Sequence, residues 1–370
     1  MKRLGYAGIA GVFFTLVSSG TAFGQKASSA LDWSPVKAAA YLDERSGWWM
    51  AFPKAARDHG TFCVSCHTVA PIALGRPALR GILSETSASA NERKVLGNVV
   101  TRVRRWNEVE PFYPDQTNGL PKTSESRGTE SILNALILVW NDVPAGHLSA
   151  DARLALDNMW ALQLKSGEMN GSWAWLQFHN APWEGDSQFY GTALAAIAIG
   201  SAPENYQAEP GIQDGLRRLR AWLVKGMDAQ TPADRAVLLW ASAKVTGLLT
   251  PAQQSAIAAE ILAKQRPDGG YSMSSLVGSW KRKDDSPFDL ESDGYATGLI
   301  AFTLEQLNTP ETQAGLQQAL KWLSANQTKD GRWSASSLNK HRELSSEAGL
   351  FMSDAATAYA VLALTNERAR

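Results

Sequence analysis

The chain has 370 residues, with 36 basic and 36 acidic side chains and no net formal charge. That balance offers nothing to nucleic acid or an anionic membrane surface, so neither is an expected partner. With only two cysteines the chain cannot be a disulfide-stapled scaffold, and 44% hydrophobic residues are enough for one large domain or two of ordinary size. In chain order, Lys2 and Arg3 come first and precede an apolar run from Ala7 to Val17. Ala22-Phe23-Gly24 then supplies a small-x-small cleavage site before Gln25. Residues 1–24 therefore read as a signal peptide, too short and wrongly flanked for a membrane span. No later run is long enough to span a bilayer, so the mature chain is expected in the periplasm or secreted, with no membrane span.

The first predicted helix runs from Val36 to Trp49 and ends on Gly47-Trp48-Trp49. Next comes Cys63-Val64-Ser65-Cys66-His67, which holds both cysteines of the chain. By register, a second helix should occupy Cys66 to Leu74, limited or kinked by Pro71 and Pro77. Beyond it the chain repeats. Outer, mixed helices are expected at Val95–Trp106, Leu154–Leu162, Leu216–Val224, Ile257–Lys264 and Leu316–Asn326. Three are followed by related turns: Gln163 to Gly171-Ser172-Trp173, Gln265 to Asp268-Gly269-Gly270-Tyr271, and Gln327 to Asp330-Gly331-Arg332-Trp333. Inner helices then open beside an acid, as in Asp186, Asp293 and Asp354, or in Glu130 and Asp234 of the degenerate copies. A hydroxyl beside an acid caps first-turn amides and complements the helix dipole. Segments such as Ala193–Ile199 are apolar all round, which marks a buried helix. Six hairpins of this kind predict an all-α fold, an (α/α)6 toroid.

Two resemblances attach to these residues. Cys63-x-x-Cys66-His67 resembles the haem-attachment motif of c-type cytochromes. That resemblance implies one covalent haem c held by Cys63 and Cys66, with His67 as the proximal iron ligand. A redox dithiol and a structural disulfide are the competing readings. The Gln-x-x-Asp-Gly-x-Trp turns and Ser-Asp-x-x-x-Thr-Ala helices, over residues 128–367, resemble the terpenoid cyclase and protein prenyltransferase superfamily, squalene–hopene cyclases above all. This resemblance implies that Gln265, Gln327, Asp268, Asp330, Trp173 and Trp333 serve the scaffold. Cyclase or prenyltransferase activity is not expected. Glu291-Ser292-Asp293-Gly294-Tyr295 lacks the paired aspartates of the cyclase acid, and no thiol remains for a zinc site.

The expected organisation is a signal peptide (1–24), a haem-bearing segment (25–127) and toroid repeats (128–370). The expected function is an exported c-type cytochrome in electron transfer with a periplasmic redox partner. The alternative is a haem enzyme or sensor acting on an apolar small molecule held in the toroid. For the sixth iron ligand Met352 comes first, since the last repeat must meet the first if the ring closes. His179, His341, His59 and Met50 follow. The run Trp173, Trp175, Phe178, His179, Trp183, Glu184, Asp186, Tyr190 reads either as packing over the barrel end or as a cavity wall. Glu184, Asp186 and Tyr190 are its catalytic candidates.

Overall fold

The computed structural model describes Met1, residues 32–185 and residues 187–366. Residues 2–24 of the expected signal peptide, and Asp186, lie outside them. The described residues from 32 to 366 belong to one compact unit. Repeat one pairs α1 (Pro35–Ala51) with α2 (Val69–Gly75), followed by the short α3 (Leu79–Leu83). Repeat two pairs α4 (Ala90–Arg104) with α6 (Lys122–Asp142), and the short α5 (Asp115–Asn118) lies between them. Repeat three is α7 (Ala150–Ala161) and α8 (Phe189–Ser201), and repeat four is α9 (Gln213–Gly226) and α10 (Pro232–Lys244). Repeat five is α11 (Pro251–Leu262) and α12 (Gly294–Leu307), and repeat six is α13 (Gln313–Ala325) and α14 (Leu350–Asn366). The second helices form a closed inner ring. Each of α2, α6, α8, α10, α12 and α14 packs on the next, and α14 packs back on α2. This is the (α/α)6 toroid expected from the repeats.

Sequence dictates which helix goes inside. From Phe189 to Ile199 every residue of α8 is buried, and so is every residue of α14 from Met352 to Leu364. A helix apolar on all sides has to be surrounded by protein. By contrast α9 buries only Gly215, Leu216, Leu219 and Leu223, a stripe at helical spacing whose opposite face carries arginines. Each such leucine contributes about 1.5–3 kcal/mol by leaving water. Several helix starts are set by side-chain caps. Ser89 and Glu92 form a reciprocal capping box on α4, and Thr250 and Gln253 form another on α11. Asp293 caps α12, accepting from Ala296 N at 2.8 Å.

The repeated turns tie neighbours together. Gln163 Nε2 donates to Gly171 O and to Gly215 O in the next outer helix. Gln265 Nε2 does the same with Gly269 O and Gly315 O. Gln327 closes the ring, since its Nε2 donates to Ser34 O at 3.1 Å and its Oε1 accepts from Ser34 N at 2.7 Å. Ser34 is the N-cap of α1. Trp173 and Trp333 are fully buried, with their indole N–H groups on Met159 O and Leu323 O.

The ring axis is filled by aromatic side chains. Tyr295 and Tyr359 meet at 5.5 Å, Trp240 and Phe302 at 5.1 Å, and Trp240 and Tyr359 at 6.5 Å between centroids. Among the described residues, no helix is long and apolar enough to cross a membrane.

Candidate functional site

The first hairpin lacks the glutamine turn of repeats three, five and six. Residues 52–68 separate α1 from α2, and α2 begins at Val69 instead of Cys66. Pro71 falls in its first turn, where a missing N–H costs nothing, and Pro77 lies in the turn that follows the helix. The long turn is pinned by Trp49, whose indole N–H donates to Cys63 O at 2.7 Å, and by Cys63 N on Ala55 O at 2.8 Å.

Beside this turn lies a cavity of ≈ 390 Å³. Repeat one supplies Trp49, Phe52, Cys63 and His67 to its wall. The loop after α7 supplies Phe178, Asn180, Trp183 and Glu184, and the sixth repeat supplies Asn339, Phe351 and Met352. Tyr113 also faces it. Residues far apart in sequence meet here because α14 closes onto α2.

His67 is held firmly. Phe351 stacks on its imidazole with centroids 3.9 Å apart, Trp49 meets it edge-on at 4.9 Å, and Trp183 approaches to 5.6 Å. Nδ1 of His67 lies 2.9 Å from Thr68 Oγ1, and that hydroxyl donates to Asp354 Oδ2 at 2.7 Å. A threonine hydroxyl has one proton, so Thr68 accepts from His67 Nδ1–H and the lone pair resides on Nε2. Burial, helped by the Arg45 charge, pushes the imidazole pKa down to about 3, so the ring is neutral. Asp354 also accepts from Tyr41 OH and Arg45 Nε, both at 2.8 Å, in an ion pair with almost no exposure on either side.

Glu184 is the one carboxylate on the wall among the described residues. Its backbone pairs with that of Asn180 in an isolated antiparallel bridge, and Asn180 Nδ2 donates to Oε2 at 3.3 Å. Burial raises its pKa to about 7, against the smaller opposing effects of Asn180 and Lys122. It is poised between acid and base at neutral pH. The thiols behave differently. Cys63 and Cys66 are buried and unbridged, and burial pushes Cys63 up to about 12 and Cys66 well above its usual range. Both are protonated and weakly nucleophilic.

Other expected residues scatter. Tyr190 is buried on α8, 6.0 Å from Trp175, and lines a separate cavity of ≈ 240 Å³ that also contains Asp234. His179 stacks on Trp280 at 4.1 Å, His59 bonds Asp58, and His341 is exposed beside Glu343. Met50 does not reach the cavity wall among the described residues. Sequence reading missed Thr68, Phe351, Asn180 and Tyr113. It also read Asp354 as a helix opener, whereas α14 begins at Leu350 and the carboxylate turns to α1 and Thr68.

No protein-family model matches the chain, and no curated protein matches its sequence. Solved structures do match in fold. The chain is similar to a polysaccharide lyase at 13% identity, with 90% of this chain and 97% of that one covered and a TM-score of 0.51. It is similar to the GH76A α-1,6-mannanase from Salegentibacter sp. HEL1_6 at 11% identity, covering 89% and 99%, with a TM-score of 0.52. A glycosyl hydrolase family 88 protein from Bacteroides vulgatus gives 11%, 89%, 97% and 0.51.

These likenesses show an α/α toroid, and they correct the resemblance to terpenoid cyclases. The Gln–Gly–Trp turn ties one hairpin to the next, a need common to ring-shaped hairpin folds and independent of their chemistry. The c-type cytochrome expectation is corrected as well, with its covalent haem c and the haem enzyme or sensor alternative; of its site residues, Cys63, His67 and Met352 share one cavity wall. The structures alike in fold are carbohydrate-active proteins. His67 is packed as part of an aromatic wall, and Met352 is a buried wall residue of α14.

Proposed function

We propose that the chain is a glycan-processing protein whose mouth cavity grips a sugar unit and in which Glu184 acts as the general acid. The carrying observation is the position of Glu184: a carboxyl with a pKa of about 7 on the wall of an aromatic-lined cavity. Aromatic faces with a few placed polar groups suit a sugar ring, which has apolar C–H faces and hydroxyl edges. Trp49, Trp183 and Phe351 offer the faces, and Asn180, Asn339 and Nε2 of His67 offer the polar contacts. In hydrolysis, Glu184 would give its proton to the glycosidic oxygen as the C–O bond breaks. Water would add to the anomeric carbon, and its proton would return to the carboxylate. The carbohydrate-active toroids alike in fold support this reading.

Release of reducing ends from a panel of polysaccharides tests it. Glu184→Gln should cut the rate by about 10²–10⁴ while leaving substrate binding in place. Absence of both cleavage and binding across the panel would refute the proposal. We also propose export of the chain, on the strength of Lys2, Arg3 and the apolar run that follows them. N-terminal sequencing of the mature protein should then begin at Gln25.

A further inference from the structure

We infer that the mouth cavity selects an acidic saccharide, one bearing a carboxylate such as a uronic acid, and that Arg57 and Arg342 set this preference. The inference rests on the glycan reading above and adds the charge of the substrate. It follows from an imbalance of charge around the cavity. Lys54, Arg57 and Arg342 line it, and none of the three forms an ion pair with a carboxylate among the described residues. The sole wall carboxylate among those residues, Glu184, is half protonated near neutral pH. The neighbouring acid Asp58 is spoken for by Arg102, His59 and Glu110 N. Charges of one sign gathered around a cleft reinforce one another, so the cavity favours an anion.

Arg57 is the better placed of the two arginines. Its Nη1 donates to Lys54 O and Ala56 O, and its guanidinium sits 5.3 Å from the Tyr113 ring centroid. Those contacts orient the group without neutralising it. Nη2 makes no hydrogen bond among the described residues, which leaves a donor for a carboxylate oxygen. Arg342 is exposed on the loop before α14 and makes no hydrogen bond or ion pair among the described residues. A positively charged rim of this kind attracts and orients a charged sugar, while the aromatic wall binds the ring.

The test uses uronic-acid oligosaccharides of several linkages and their carboxyl-reduced, neutral counterparts. Binding to the full chain is measured by calorimetry at low and high salt. The acidic member of at least one pair should bind roughly tenfold tighter than its neutral twin, and the gap should shrink in high salt. Arg57→Gln should remove most of that gap, and Arg57→Lys should restore part of it. Arg342→Gln, on an exposed loop, should narrow the gap without disturbing the fold, which keeps the test decisive if Arg57→Gln fails to fold. Equal or tighter binding of the neutral sugars overturns the charge preference and leaves the glycan reading standing. Binding of neither set overturns both.

Discussion

The turn of repeat six and the turn of repeat one do opposite jobs. Between α13 and α14, Gln327, Gly331 and Trp333 make short, fully satisfied contacts that fasten one hairpin to the next. Gly331 has a φ of +96°, and a Cβ there would sit 2.3 Å from Lys37 O. Between α1 and α2 no such glutamine turn exists. The loop there carries Cys63, Cys66 and His67 and is fixed by Trp49 of α1 and by the Thr68–Asp354 bond to the last repeat. The regular turns close the ring, and the irregular one uses that closure to build a site.

Substitutions can break that comparison, taken from the largest effect down. Asp354→Ala strips the carboxylate from buried Arg45 and releases Thr68, and should cost about 3–5 kcal/mol, read from urea denaturation. It should also weaken the proposed saccharide binding, because the Thr68 hydroxyl that holds His67 Nδ1 loses its own anchor on Asp354. Gly331→Ala forces a Cβ against the Lys37 carbonyl at a positive φ and should cost about 2–4 kcal/mol. Binding by the molecules that still fold should be unchanged. Gln327→Ala leaves Ser34 N and Gly331 O without partners, removes one of the two bonds to Ser34 O, and should cost about 1–3 kcal/mol, again with binding intact. If Gly331→Ala or Gln327→Ala impairs binding as deeply as Asp354→Ala, the division between scaffold turn and site turn is wrong.

The remaining effect is a pH dependence at Glu184. Its folded pKa, about 7, lies above the ordinary 4.5 of a glutamate. The folded state therefore holds the proton more tightly than the unfolded chain, and stability falls as pH rises from about 4.5 through about 7. Glu184→Gln should flatten that part of the stability–pH curve and make the protein slightly more stable than the parent at pH 8. In the parent, cleavage should decline above pH about 7 as the acid loses its proton. A cleavage rate still rising well above pH 7 would remove Glu184 from the acid role.

Much of this was legible in the residues. The glutamine turns and the all-apolar segments, Ala193–Ile199 among them, foretold six hairpins with a buried inner member. The periodicity of a helix and the partners of a turn are local properties, and local patterns carry them. Helix boundaries were looser, since α2 starts at Val69 and α14 at Leu350, each set by packing at the ring seam. The site was less legible. Glu184 and His67 stood out singly, but Asp354 read as a cap, and Thr68 and Phe351 carried no signal at all. The motif around Cys63 and Cys66 pointed to a chemistry that the comparisons corrected.

What the sequence determined by itself was the sorting of helices into inner and outer, because burial follows from how much of each helix is apolar, and the chain writes that directly. Only the tertiary structure decided which loops meet. Closure of α14 onto α2 brings Phe351 and Asp354 to His67 across nearly the whole length of the chain. Only the assembled wall, by excluding water, raises the Glu184 carboxyl to about 7 and keeps the His67 ring neutral. Those properties belong to a place in space, and no residue has them until the ring is shut.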